Sequence, residues 1–251
     1  MWSKIKVSQH VNQILNRFGY HLSRGENERL HRVLGQNAEF DIRYFLGQVT
    51  EPIIFDVGGN TGQAVDRFKK LVPDSVIYSF EPTIECMPQL MEKSRAYNSI
   101  QVFNIALGSV ETELDFFLNS SSVMNSFLDT ESPRWGENLG KRIIKTQTLD
   151  SFCTQNDVAR INLLKIDTQG FELEVLKGSI EMLSKNAIGL VYLEIIFSEM
   201  YSNLPSLDEI YRYMMQNGFK LVAFYDFYSN NKTADWCDAL FYNPSFEEFL
   251  G

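Results

Sequence analysis

Residues 53–63 read IIFDVGGNTGQ. The first five positions form a short β-rich run, three glycines then fall within five residues, and a helix-compatible segment begins at Gln63. This order predicts a buried strand, a tight turn and a helix whose first N–H groups are free to meet a ligand. Glycines in such a turn also let the backbone approach a ligand closely. The segment therefore indicates an α/β domain with a binding crevice at the end of its first strand.

The same alternation of strand and helix continues downstream. Further strands are predicted at residues 76–80, 100–107, 162–167, 188–195, 219–225 and 239–242. Helices are predicted at residues 63–71, 84–97, 172–183 and 207–217. This pattern is typical of a doubly wound α/β fold with a mostly parallel sheet, in which the last two strands pair antiparallel. Between residues 114 and 149 the order breaks, and one extra strand at 114–118 with a polar stretch predicts a lid or binding loop.

Composition and charge narrow the class of protein. The chain has 251 residues, 44% of them hydrophobic, which suits one sizeable core. Its net charge of −9 repels polyanions, so we predict no nucleic-acid partner. Residues 1–36 carry six basic and two acidic residues, which leaves 17 basic and 30 acidic residues in the rest. All three histidines, at positions 10, 21 and 31, lie in this basic leader, so the main body must work without histidine.

The leader also has apolar residues between Ile5 and Leu22 at a helical spacing. We interpret residues 1–50 as a basic helical extension and residues 51–251 as the functional domain. The extension is predicted to pack as a cap helix, and a second interpretation is weak contact with an anionic membrane surface. The first residues lack an apolar signal segment and the three cysteines have no metal-site spacing, so we predict a cytoplasmic location.

Two acidic residues at strand ends indicate the ligand. Asp56 precedes Gly58 by two positions, and the spacing from Gly58 to Gly62 departs from the G-x-G-x-x-G that cradles a pyrophosphate. An acid at this position opposes a phosphate and favours a cation. Glu81 ends the second predicted strand, where a carboxylate can accept both hydroxyls of a ribose. A phosphate-free nucleoside with a positive sulfonium fits both acids, which predicts S-adenosylmethionine (SAM).

Several segments resemble the FkbM family of methyltransferases. They are FDVGGNTGQ at 55–63, FEP at 80–82, NIALG at 104–108, LKIDTQGFE at 164–172 and VLKG at 175–178. The resemblance runs from about residue 53 to residue 242, and its most specific part is 164–178. It implies a class I, Rossmann-like methyltransferase fold with a seven-stranded sheet whose last strand is antiparallel. It also implies SAM-dependent O-methylation of sugar or polyketide hydroxyls. Gly59 stands where many relatives have alanine, which is a small change.

The resemblance further implies roles for individual residues. It puts the methionine part of SAM against the first turn, the ribose on Glu81 and Pro82, and the adenine beside Asn104 and Ile105. The residues of the first turn are Asp56, Gly58, Asn60, Thr61 and Gly62. Asp167 ends a later strand, and ligands of doubly wound sheets bind at the carboxyl ends of strands. Asp56, Glu81 and Asp167 are therefore expected to meet in one crevice.

Methyl transfer needs an acceptor oxygen in line with the methyl group and a residue that takes its proton. Without histidine, a carboxylate is the predicted base, with Asp167 as first choice and Glu194 as second. Lys165, two positions before Asp167, would orient Asp167 or bind the acceptor. Each also has a structural interpretation: Asp167 as a cofactor ligand alone, Glu194 as a buried acid and Lys165 as an ion-pair partner. A divalent metal is left open, because carboxylates alone can hold Mg²⁺.

The acceptor is predicted to be a small molecule or a glycan. Candidate acceptor-binding residues are Ser121, Ser122 and Asn125 of the irregular stretch and Asp238 of the closing strand. The serine-rich stretch is equally compatible with a solvated linker. Two other functions compete with methyl transfer. A catalytically silent SAM-binding protein would keep the cofactor residues without turnover, and a nicotinamide-dependent oxidoreductase would need the G-x-G-x-x-G that is absent here.

Overall fold

The structure is a computed structural model, and it describes residues 34–130, 133–230 and 232–249. The predicted leader helix, with its apolar residues between Ile5 and Leu22, lies outside the described residues. Residues 35–251 group into one compact unit. Within the described ranges, no helix is both long and apolar enough to cross a bilayer.

The bounds of the elements are as follows for the described residues. The strands are β1 Ile53–Val57, β2 Val76–Phe80, β3 Ile100–Phe103, β4 Ala106–Leu107, β5 Thr112–Asn119, β6 Asn138–Gln147, β7 Ile161–Ile166, β8 Ile188–Ile196, β9 Lys220–Asn230 and β10 Thr233–Tyr242. The α-helices are α1 Ala38–Leu46, α2 Gln63–Leu71, α3 Met87–Arg95, α4 Leu149–Gln155, α5 Glu172–Lys177, α6 Ile180–Ser184 and α7 Leu207–Gln216.

A seven-stranded sheet forms the centre of the fold, in the order β3-β2-β1-β7-β8-β10-β9. The pairs from β3 to β8 are parallel, whereas β10 runs antiparallel to both of its neighbours, β8 and β9. The prediction of a doubly wound, mostly parallel sheet with an antiparallel last strand is confirmed. The strand order reverses between β1 and β7, and in such sheets this reversal opens a crevice at the carboxyl ends of the strands.

The core has one apolar layer on each face of this sheet. Successive side chains of β1 point to opposite faces. Phe55 faces the layer that contains Phe80, with ring centroids 5.2 Å apart. Ile54 faces the other layer, where Phe68 of α2 and Ile42 of α1 are fully buried. Burial on both sides holds β1 rigidly, so the turn that follows it has a fixed starting point.

The insert between β3 and α4 differs from the prediction. The single strand predicted at 100–107 is wrong, because β3 pairs with β2 whereas β4 pairs with β6 in a second, three-stranded sheet. Asn104 separates the two, and its Nδ2 donates to the backbone oxygens of Glu81 (2.8 Å) and Pro82 (3.1 Å). The extra strand predicted at 114–118 is confirmed as part of β5, but its antiparallel partner β6 was not predicted.

The helix predicted at 172–183 is also wrong, because it is divided into α5 and α6 at Gly178. Gly178 lies against the chain that follows β4. A Cβ atom at this position would be 2.0 Å from the backbone oxygen of Gly108. The close approach explains why glycine stands at position 178.

Gly178→Ala is expected to lower the free energy of unfolding by about 1–3 kcal/mol, the usual cost of overpacking a tight contact. The contact partner is backbone and cannot rotate away, so the two segments must separate. Urea denaturation followed by circular dichroism measures the change. A variant with the denaturation midpoint of the wild type would show that the two segments do not approach this closely.

Candidate active site

A cavity of about 310 Å³ lies at the carboxyl ends of β1, β2, β7 and β8. The first turns of α2 and residues 122–127 of the insert complete its walls. This volume is within the range of small-molecule and cofactor sites. The crevice expected from the strand order is therefore present, and the residues at the strand ends decide what it can bind.

The glycine turn after β1 brings two strand ends into contact. Gly58 has φ +81°, and a Cβ atom there would lie 1.9 Å from the backbone oxygen of Asp167. The amide of Asp167 donates to the backbone oxygen of Val57 at 3.0 Å. Only glycine permits this combination of a left-handed backbone and close approach. The turn thereby fixes the backbone of Asp167 beside Gly58 in the crevice.

Glu81 is held by the backbone at the end of β2. Its Oε2 accepts the amide of Asn60 at 2.8 Å, and its Oε1 accepts the amide of Thr83 at 2.7 Å. The residue is 4% exposed, and desolvation raises the pKa of its carboxyl while these two hydrogen bonds oppose the rise. A carboxylate has about four acceptor positions. Two of them fix Glu81 in place, and the others are available to a ligand in the crevice that Glu81 lines.

Asp56 and Lys165 form a buried ion pair beside the glycine turn. Lys165 Nζ lies 2.9 Å from Asp56 Oδ1 and donates to the backbone oxygen of Gly58 at 2.9 Å. Asp56 is fully buried and its Oδ2 accepts a hydrogen bond from Ser79 at 2.8 Å. Burial alone would lower the pKa of Lys165, but attraction to Asp56 and Asp167 raises it. Lys165 is thus charged, and its ammonium holds both the Asp56 carboxylate and the backbone of the turn at Gly58.

Three further carboxyl groups gather at the other end of the crevice. Asp167 and Glu194 both accept hydrogen bonds from the side-chain nitrogen of Gln169, at 3.0 and 2.9 Å. Asp238 accepts a hydrogen bond from the hydroxyl of Tyr192. Desolvation, followed by repulsion from Asp167, raises the pKa of Glu194 well above its ordinary value. Desolvation likewise raises the pKa of Asp238 to about 6.

The insert contacts the glycine turn directly. Asn60 Nδ2 donates to the hydroxyl oxygen of Ser122 at 3.2 Å, and Asn60 itself has φ +44°. Asn125 lines the crevice and its side-chain oxygen accepts the amide of Asn119 at 2.8 Å. The polar stretch is therefore part of the crevice wall.

The chain matches the family described as "Methyltransferase FkbM domain" over residues 56–221. The chain belongs to the FkbM methyltransferase family. Its seven-stranded sheet with an antiparallel last strand is the class I methyltransferase fold that the resemblance implied. The matched range begins at Asp56, in the last two residues of β1, and includes all of β2, β7 and β8 but not β10.

Two curated relatives are named as methyltransferases, and the name of one of them gives a hexuronic acid as its substrate. The FkbM protein is 26% identical over 184 residues to the 2-O-methyltransferase NoeI of Sinorhizobium fredii, which covers 69% of this chain and 74% of that one. It is 27% identical over 172 residues to the hexuronic acid methyltransferase AglP of Haloferax volcanii, which covers 67% and 66% of the two chains. Among solved structures, the METTL16 methyltransferase domain has a TM-score of 0.48 at 10% identity, over 91% of this chain and 76% of that chain.

The structure brings most of the predicted site residues of the FkbM methyltransferase together. Those that line the crevice are Gly58, Asn60, Glu81, Pro82, Ile105, Ser122, Asn125, Lys165, Asp167, Glu194 and Asp238. Those that do not line it are Asp56, Thr61, Gly62, Asn104 and Ser121. Asp56 instead pairs with Lys165. Asn104 donates to the backbone oxygens of Glu81 and Pro82. Gly62 begins α2 with φ +87°.

Arg67, Tyr192 and Gln169 are among the crevice residues that the sequence predictions missed. Tyr192 could have been found, because it precedes Glu194 by two positions on β8 and so shares its face. Gln169 lies inside the segment that resembles the family. Arg67 has no local signal, since its guanidinium lies 3.5 Å from the Tyr192 hydroxyl, which belongs to a distant strand.

Proposed function

We propose that this FkbM methyltransferase uses SAM to methylate a hydroxyl group of a sugar or glycan. The observation that carries the proposal is the arrangement of one crevice, with the fixed Glu81 carboxylate at one end and the Asp167–Glu194 pair at the other. The family match supports methyl transfer, and the names of the two curated relatives support a sugar-type acceptor. A polyketide-type hydroxyl is the second acceptor class.

The residues present fit SAM. The free acceptor positions of Glu81 suit the two ribose hydroxyls, and Gly58 and Asn60 of the turn line the crevice where the methionine part would lie. Ile105 and Pro82 offer apolar walls for the adenine. The acidic lining favours a positively charged sulfonium and opposes a dinucleotide pyrophosphate. These features support SAM over a nicotinamide cofactor.

SAM, when bound, supplies an activated methyl group. The chain's own task is to hold an acceptor oxygen in line and to take up its proton. Asp167 is suited to this task because its side chain is 45% exposed, whereas Glu194 is largely enclosed. We assign Asp167 as the group that meets the hydroxyl. Glu194 accepts a hydrogen bond from the same Gln169 nitrogen and so lies beside the group that takes the proton.

Two measurements test the proposal. Calorimetry should detect binding of SAM and S-adenosylhomocysteine but not of NAD, and binding of NAD alone would favour an oxidoreductase. Incubation with labelled SAM and a panel of glycosides and polyketide alcohols, read by mass spectrometry, should show one added methyl group on a sugar hydroxyl. SAM binding without transfer to any member of the panel would favour a catalytically silent SAM-binding protein.

The charges at the acceptor end also predict a preference among sugars. Lys165 pairs with Asp56, with 2.9 Å between Nζ and Oδ1. The guanidinium Nε of Arg67 lies 2.9 Å from Glu39 Oε1. Both cations are therefore partly neutralised, while the carboxyls near the acceptor keep a negative field. Coulomb repulsion between these carboxyls and a carboxylate on the acceptor costs more than about 1 kcal/mol at an intermediate dielectric.

We therefore expect neutral glycosides to be methylated with a kcat/KM at least about tenfold higher than that of the matching hexuronates. Competition assays with a hexoside and its uronate measure the ratio. Asp238→Asn removes one negative charge and keeps the shape of the side chain, so it should lower this ratio of kcat/KM values. A wild-type enzyme that favours the uronate would contradict the assignment of a negative acceptor end.

A further inference from the structure

We propose that Gln169 and Tyr201 form a positioning pair that fixes the two carboxyl groups of Asp167 and Glu194 relative to each other. This inference rests on the proposed function, because it gives the two carboxyls their role in accepting the proton. Neither Gln169 nor Tyr201 is in a position to transfer a methyl group or a proton itself. Their effect is exerted through the carboxyls that they hold.

The amide of Gln169 bridges the two carboxyls. Its Nε2 is 3.0 Å from Asp167 Oδ1 and 2.9 Å from Glu194 Oε2. An amide nitrogen carries two hydrogens, so one can be directed at each carboxyl. The donor is neutral, and it stabilises negative charge on either carboxyl without adding a charge of its own.

Tyr201 determines which way the amide faces. Its hydroxyl lies 2.9 Å from Gln169 Oε1 and 3.1 Å from the backbone oxygen of Met124. Tyr201 is 3% exposed, so its ring is held by the surrounding packing. With the amide reversed, Oε1 would face two carboxyl oxygens, which would leave three acceptors without a donor. The two carboxyls and the Tyr201 hydroxyl together therefore favour the orientation in which Nε2 faces the carboxyls.

The backbone of Gln169 is held in an unusual conformation. Its φ is +59°, a left-handed value that costs energy in a residue other than glycine. Its backbone oxygen accepts the Ser126 hydroxyl at 2.7 Å. On either side, the amides of Thr168 and Gly170 donate to Glu172 Oε1 at 2.8 and 3.2 Å. The insert and α5 thus hold the strained residue in place.

The bridge matters because of the charges that surround it. Glu194 is repelled by the carboxyls of Asp167, Glu172 and Asp238, and it is attracted by the ammonium of Lys165. Desolvation raises the pKa of Glu172, to about 7, so this neighbour is only partly ionised near neutral pH. Loss of a hydrogen bond to the charged form makes a carboxyl hold its proton more tightly. Removal of the Gln169 donor should therefore raise the pKa of Glu194 further.

The test uses Gln169→Met, Tyr201→Phe and the double variant of the full chain. Carboxyl titrations are followed by NMR with ¹³C-labelled Asp and Glu, and Asp167→Asn and Glu194→Gln assign the signals. Gln169→Met should raise the titration midpoint of the pair by about one pH unit, which is a tenfold change in proton affinity. Tyr201→Phe should shift it less in the same direction. The double variant should match Gln169→Met, because Tyr201 acts through Gln169.

Tyr213→Phe is the matched control, since it removes a hydroxyl that donates to the backbone oxygen of Leu176 outside the crevice. It should leave the titrations unchanged. Tyr201→Phe keeps the packed ring, so this variant can be measured even if Gln169→Met does not fold. Titration midpoints in Tyr201→Phe that equal those of the wild type would overturn the positioning role. Additive shifts in the double variant would equally overturn it. The titrations need no turnover, so a failed methyl-transfer assay counts against the proposed function while the carboxyl bridge is judged separately.

Discussion

Asp167→Asn is expected to lower kcat by about 10²–10⁴-fold, the usual contribution of a positioned general base. Asparagine has the size of aspartate, and its side-chain oxygen can still accept the hydrogen bond from Gln169. It cannot, however, take up the proton of the acceptor hydroxyl. Glu81, which holds the ribose in the proposed function, is fixed by the amides of Asn60 and Thr83 rather than by Asp167. Initial rates with saturating SAM and acceptor measure the loss.

The affinity for SAM separates the two roles considered for Asp167. Calorimetry should give the variant a Kd for SAM close to that of the wild type. Glu194→Gln is the companion variant, and it should lose less activity because Glu194 is the more enclosed member of the pair. A large loss of SAM binding with Asp167→Asn would make Asp167 a cofactor ligand rather than the base.

Glu81→Ala is expected to weaken SAM binding by more than about a hundredfold. Two hydrogen bonds between the carboxylate and the ribose hydroxyls would be lost, each about 1.5–3 kcal/mol because one partner is charged. The amides of Asn60 and Thr83 would also lose their acceptors. Calorimetric titration with SAM and with S-adenosylhomocysteine measures the effect, which should be similar for both ligands because they share the ribose.

Glu81→Gln separates local collapse from loss of the ribose contact. It keeps the shape of the side chain and one oxygen acceptor, so the turn at Asn60 should persist and the loss of affinity should be intermediate. Thermal denaturation of both variants without ligand reports on the fold. Unchanged SAM affinity in Glu81→Ala would show that the ribose does not bind at this carboxylate.

The parts of the fold that were predicted correctly depend on local patterns. The run at 53–57 and the glycines after it needed no distant contact to indicate a strand and a turn, and the order of strands and helices then implied the doubly wound sheet. The insert was only partly predicted because β4 and β5 both pair with β6, between residues that lie 19 to 40 positions apart in the sequence. A hydrogen-bond partner that far along the chain leaves no trace in local composition.

The same distinction between local sequence patterns and contacts of distant residues applies to the site. The acids and glycines at the strand ends could be named from the sequence, because doubly wound sheets bring the carboxyl ends of neighbouring strands to one edge. The ion pair of Asp56 with Lys165 and the bridge from Gln169 to Glu194 are made between different strands, and only folding brings their atoms within hydrogen-bonding distance. Residue types and their order therefore determined the family, the sheet and one end of the crevice. Tertiary structure decided which charges are neutralised and which carboxyls stand together, because side-chain contacts and desolvation exist only in the packed chain.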